Sequence, residues 1–95
     1  MTTQTGKLTF ATAAETTASV HGDGIVILDI GKGRLFASNR TGARIWRGIE
    51  RQLPLETIAE QIAAEFQIAL PTAREHTVRF FGELERHSLI QRRAA

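Results

Sequence analysis

The chain contains no cysteine. That excludes a disulfide framework, thiolate metal sites, iron–sulfur clusters and cysteine nucleophiles. It has no apolar run approaching the roughly 20 residues that span a bilayer. Its first residues, Met1 to Gly6, are polar and rich in Thr, unlike the apolar core of a signal peptide. A cytoplasmic protein without a membrane partner is expected. Charge of one sign is also scarce. Twelve Lys and Arg stand against ten Asp and Glu, so the net charge is only +2, and the high isoelectric point reflects the missing Tyr as much as any basic patch. There are no internal repeats and no long low-complexity tract. With 95 residues the chain has room for one compact domain and not for two. Its core must be small, and a deep cofactor cavity would remove much of it. No cofactor is expected.

What is present divides into a β-like first third and a helical remainder. Residues 1–7 read as a disordered N-terminus. Leu8 to Phe10 and Thr16 to Val20 are candidate edge strands. His21-Gly22-Asp23-Gly24 is a turn. Ile25 to Ile30 is a β-branched run bounded by glycines, the strongest strand in the chain. Gly31-Lys32-Gly33 breaks it, and Arg34-Leu35-Phe36-Ala37-Ser38 follows, so the pair reads as a β-hairpin. Asn39, with Thr41 as competitor, can cap a first helix whose apolar face carries Trp46, Ile49 and Leu53. Pro54 suits the first turn of a second helix, which repeats Leu55, Ile58, Ala59, Ile62, Ala63 and Phe66 at helical spacing. Pro71 and Thr72 open a third helix, followed by Leu89 and Ile90. Residues 91–95 read as a frayed tail after a single domain over 8–90. The expected fold is α+β and winged helix-turn-helix-like, a three-stranded antiparallel sheet followed by three α-helices.

A catalytic constellation does not assemble. His21 sits in a turn. His76 and His87, eleven residues apart on one helix, lie roughly 16 Å apart along its axis, too far to share a metal. Neither Gly22-Asp23-Gly24 nor Gly31-Lys32-Gly33 precedes a helix, so neither is a phosphate loop. The glutamates of the second and third helices alternate with arginines and read as solvated faces with ion pairs. Trp46, on an apolar stripe, reads as a core anchor. No catalytic residue and no metal ligand are assigned, and the chain reads as a binding protein.

A helix-turn-helix with a wing also invites a DNA-binding reading, with the third helix in the groove. Arg74, Arg79 and Arg86 of that helix are interleaved with Glu75, Glu83 and Glu85, and carboxylates there would repel phosphate. The arginines of the first helix, Arg40, Arg44, Arg47 and Arg51, are more concentrated and leave a surface for an acidic partner open.

The run from Ile27 to Asn39 resembles the strand–turn–strand of PqqD-family proteins. It has an apolar run ending in Leu28-Asp29, a glycine turn, Arg34 with two apolar residues, then Asn39. Gly42-Ala43-Arg44-Ile45-Trp46 is similar to the family's first-helix start. Leu55 to Phe66 resembles its second helix, and Phe80-Phe81 through Leu89-Ile90 its third. The match covers about residues 16–90. Ser38 stands where the family usually has Leu, His76-Thr77 where it often has Asp-Val, and Ser88 where it commonly has Gly. These departures bear on the bound peptide more than on the fold.

The resemblance implies a recognition element for ribosomally made, post-translationally modified peptides. Such domains bind the leader segment of a precursor and present it to a processing enzyme. The wording of the motifs is closer to the lasso-peptide type, whose partners are a leader peptidase and a cyclase, than to the type that serves a radical SAM enzyme.

Physically, an edge strand offers unpaired amides and carbonyls to an added strand. The resemblance implies Arg34 to Ser38 as that edge, with the third helix walling the groove. Either Phe36 or Leu35 with Ala37 must face the core, because successive residues point to opposite sides. Along the third helix Thr77, Phe80 and Leu84 continue the core stripe, and Arg74, Val78, Phe81 and Glu85 lie beside it. The expected peptide-binding set is therefore Arg34, Leu35, Phe36, Ala37 and Ser38 on the strand, with Arg74, Thr77, Val78, Phe81 and Glu85 on the helix.

Overall fold

The β-branched run forms β3 (Gly24–Asp29), the middle strand of a three-stranded antiparallel sheet. β2 (Thr16–His21) pairs along one side and β4 (Arg34–Ser38) along the other. Ile25, Ile27 and Asp29 point inward, and Val26 and Leu28 are half-buried on the outer face. The register sets Ile27 between Ala18 and Phe36. Phe36 is therefore the inward residue of β4, while Leu35 and Ala37 point out. Gly22 (φ +58°) and Gly33 (φ +65°) take the left-handed conformation that the two hairpin turns require.

Three helices follow: α1 (Arg40–Glu50), α2 (Leu55–Phe66) and α3 (Leu70–Arg86). The α+β order of three antiparallel strands and then three helices is as the sequence leads one to expect. Asn39 caps α1, its side-chain oxygen accepting the Gly42 amide at 3.0 Å. Thr41 lies within the helix instead. Pro54 occupies the capping position of α2, one residue earlier than expected, and Pro71 falls in the first turn of α3. Trp46 is buried, and its indole nitrogen donates to Glu50 at 2.9 Å, so the ring fills the core without an orphaned donor. Ile27, Ile45, Ile49, Ile58, Ile62 and Leu84 complete the centre of the core.

The computed structural model of the chain describes residues 9–93. The expected disordered terminus, 1–7, Leu8, and residues 94 and 95 lie outside that range. Within it one element differs from expectation. Ile90–Arg93, placed mostly in a frayed tail, is strand β5, and it pairs antiparallel with β1 (Thr9–Thr12). The sequence Ile90-Gln91-Arg92-Arg93 has little strand character of its own. Its partner, almost the full chain length away, supplies the ladder. The pairing buries Phe10 and Ile90, and the Ala13 amide extends it to the Leu89 carbonyl at 2.9 Å.

Candidate functional site

β4 is an edge strand: one side pairs with β3, and no strand of the described residues covers the other. α3 runs alongside that free edge. Between them lies an open groove of about 450 Å³, with Phe36 and Ser38 on the strand side and His76, Arg79, Phe80 and Glu83 on the helix side. The start of α1 makes its floor, through Thr41, Gly42 and Ile45. Gly42 lets the elements come this close. A β-carbon there would sit 2.7 Å from the Ser38 β-carbon and 3.0 Å from a ring carbon of Phe80.

Phe36 organises the groove. Its ring centre lies 6.0 Å from that of Phe80 at 68°, and 5.5 Å from the His87 ring. Beyond Phe36 a smaller hollow of about 120 Å³ continues past Asp29, Arg34, Leu35, His87 and Leu89. Asp29 is buried there and accepts the Lys32 amide at 3.2 Å, which fixes the turn before β4. Charge sits at the rims: Arg34 is exposed, Arg79 pairs with Glu75 at 3.3 Å and Glu83 with Arg86 at 3.3 Å. The arrangement combines an unpaired backbone edge, an aromatic pocket and charged margins. It suits an extended peptide with an apolar anchor.

All five strand residues singled out from the sequence lie along this edge. None of the five helix residues lines the groove. Phe81 is buried against Phe10 of β1, ring centres 4.6 Å apart and nearly perpendicular. Thr77 is buried in the core, with its hydroxyl donating to the Ala73 carbonyl at 2.8 Å. Arg74 forks onto Glu56 of α2 at 2.9 and 2.7 Å, and Glu85 accepts from Arg92 of β5 at 2.9 Å. Val78 is exposed and does not line the groove. The inward stripe of α3 is Ala73, Thr77, Phe81 and Leu84, and the groove stripe is His76, Phe80, Glu83 and His87, one position round the helix. The cause is the β1–β5 ribbon, which covers Phe81 and leaves its neighbour Phe80 to face β4. The spacing of His76, Phe80, Glu83 and His87 at i, i+4, i+7 and i+11 was the available signal for this face.

The hydrogen bond from Arg74 holds the Glu56 carboxyl below its ordinary value, and Glu56 raises Arg74 in return. Glu85 raises Arg92 in the same way. These pairs tie α3 to α2 and to β5, on the sides away from the groove. Among the described residues no group of His, Asp and Glu side chains is placed to hold a metal ion, and no helix is long and apolar enough to cross a membrane.

A family model described as coenzyme PQQ synthesis protein D (PqqD) matches residues 24–90. No curated protein matches the chain. Two solved structures share its fold. One is TbiB1 in complex with the TbiA(beta) leader peptide, 25% identical, TM-score 0.80, covering 90% of this chain and 99% of that one. The other is a lasso peptide synthetase B1 complexed with the leader peptide, 18% identical, TM-score 0.78, covering 86% and 96%.

Proposed function

The chain belongs to the PqqD family, and on that footing we propose that it binds the leader segment of a ribosomally made precursor peptide in the groove between β4 and α3. It is a binding protein and not an enzyme. The leader adds as a strand to the free edge of β4, where backbone bonds give affinity and alternate side chains give specificity. Side chains on the inner face enter the pocket of Phe36, Phe80 and Ser38. Those on the outer face lie beside Leu35 and Ala37. Arg34, Arg79 and Glu83 select the charges at either end. The observation that carries this reading is the open aromatic groove beside an unpaired strand edge. It is supported by the two structural neighbours, both complexes with a leader peptide.

The bound leader is then presented, in the cytoplasm, to a processing enzyme of a lasso-peptide pathway, a leader peptidase with its cyclase. The structural neighbour that is a lasso peptide synthetase component favours this partner. The description of the family model favours a second reading, a peptide chaperone for a radical SAM enzyme of cofactor synthesis. A DNA-binding role is disfavoured, because Arg74, Arg79 and Arg86 of α3 are each neutralised by a carboxylate.

Calorimetry with a candidate leader peptide is the direct test. Saturable one-to-one binding that weakens in Phe80→Ala is expected. Full affinity in a folded Phe80→Ala, or tighter binding of a duplex oligonucleotide than of the leader, overturns the reading.

A further inference from the structure

Arg40, Arg44, Arg47 and Arg51 recur at intervals of four, three and four along α1 and its C-cap. At 3.6 residues per turn they fall within an arc of about 60° and run about 16 Å along the axis. Each is exposed. The stripe is locally unfavourable. Like charges three or four residues apart repel. Arg40 and Arg44 also stand in the N-terminal half, where the helix dipole opposes cations and no acidic residue occupies the first turn.

The arginines described on α3, and Arg92 of β5, follow a different rule. Arg74, Arg79, Arg86 and Arg92 each meet a carboxylate. In the α1 stripe only Arg44 does, bonding Glu65 at 2.7 Å. Among the described residues no carboxylate lies within ion-pair distance of Arg40, Arg47 or Arg51. The helix's own Glu50 is occupied by the Trp46 indole. Arg47 is the centre of the stripe and lines hollows on both sides. Towards α2 it borders a hollow of about 510 Å³ with Arg44, Arg51 and Gln61, and towards β2 one of about 260 Å³ with Val20. Val20 is a large apolar side chain left 52% exposed.

We propose that this stripe is a second docking surface, separate from the peptide groove, which takes a carboxylate-rich segment of a partner protein. Guanidinium forks spaced along one helix face match carboxylates at the same spacing. Arg is enriched at interfaces and among their hot spots, and Val20 adds an exposed apolar contact beside it. A nucleic acid fits less well. One short stripe of about 16 Å tracks little phosphate backbone. The residues of α1 that floor the groove, Thr41, Gly42 and Ile45, lie well round the helix from the stripe, so both surfaces can be filled at once. The inference stands whatever the groove binds.

The test is a titration of the full isotope-labelled chain with a helical peptide of about 15 residues carrying glutamates at i, i+4, i+7 and i+11 and one leucine. Saturable amide shifts confined to Val20 and residues 40–51 are expected. The double variant Arg47→Glu, Arg51→Glu should bind about tenfold or more weakly. The Arg47→Lys, Arg51→Lys variant, which keeps charge and fold, should fall between. Shifts centred on β4 and α3, no saturation, or unchanged affinity in the reversed variant overturn the proposal. So does tighter binding of a duplex oligonucleotide to the same stripe.

Discussion

Phe80 faces the ring of Phe36 across the groove at 6.0 Å, while its neighbour Phe81 is buried against Phe10 at 4.6 Å on the other side of α3. Two consecutive phenylalanines thus have different surroundings, one lining the groove and one in the core. Phe81→Ala should cost about 3–5 kcal/mol of stability by denaturant unfolding, the usual range for a buried Phe. Phe80→Ala should leave the chain folded and weaken leader binding by about tenfold or more. Val78→Asp should change stability by no more than about 0.5 kcal/mol and leave affinity unaltered. A loss of affinity in Val78→Asp equal to that in Phe80→Ala would place the groove on the wrong face.

Gly42 and Gly82 give opposite outcomes for the same substitution. In a helix interior Ala is intrinsically better than Gly by about 0.5–1 kcal/mol. A β-carbon at Gly82 meets nothing within 4 Å, so Gly82→Ala should raise the melting temperature. At Gly42 it meets the Ser38 β-carbon at 2.7 Å. The overpacking cost there, about 1–3 kcal/mol, exceeds the propensity gain, and Gly42→Ala should lower the melting temperature. It should also pry α1 from β4 and weaken peptide binding.

Ser88 follows α3 with φ +59°, a left-handed conformation that glycine adopts without strain. Ser88→Gly should stabilise the chain by roughly 1 kcal/mol in thermal or chemical unfolding. A neutral or destabilising result would mean that greater freedom of the unfolded chain outweighs the relief of strain.

The Glu56–Arg74 fork gives a pH signature. The Glu56 carboxyl is held below its ordinary value of 4.5 by the Arg74 hydrogen bond. Its contribution is therefore fully present above that value and is lost as pH falls through the depressed one. The wild-type melting temperature should exceed that of Glu56→Gln near neutral pH, and the gap should close in acid. A gap that persists at the acid end would assign the difference to packing rather than charge.

Much of the architecture was legible in the sequence. The β-branched run of β3, the glycine turns, the Asn39 cap and the periodicity of α2 are local signals, because hydrogen bonding and burial repeat at the element's own period. The composition left no cysteine chemistry, no bilayer-spanning run and no catalytic cluster. The strand half of the candidate site, Arg34 to Ser38, came from the family resemblance: β2 is an edge of the same sheet, and local pattern does not choose between the two.

The helix half was decided by the tertiary structure. Two adjacent phenylalanines on α3 permit two stripes about 100° apart, and local periodicity cannot choose between them. The choice rests on β5, whose weak strand sequence becomes ordered only through pairing with β1 at the other end of the chain. That ribbon covers Phe81 and leaves Phe80 for the groove. Likewise only the register of β3 and β4 sets Phe36 inward and Leu35 outward. The sequence determined which elements form; long-range pairing decided which of their faces is free to bind.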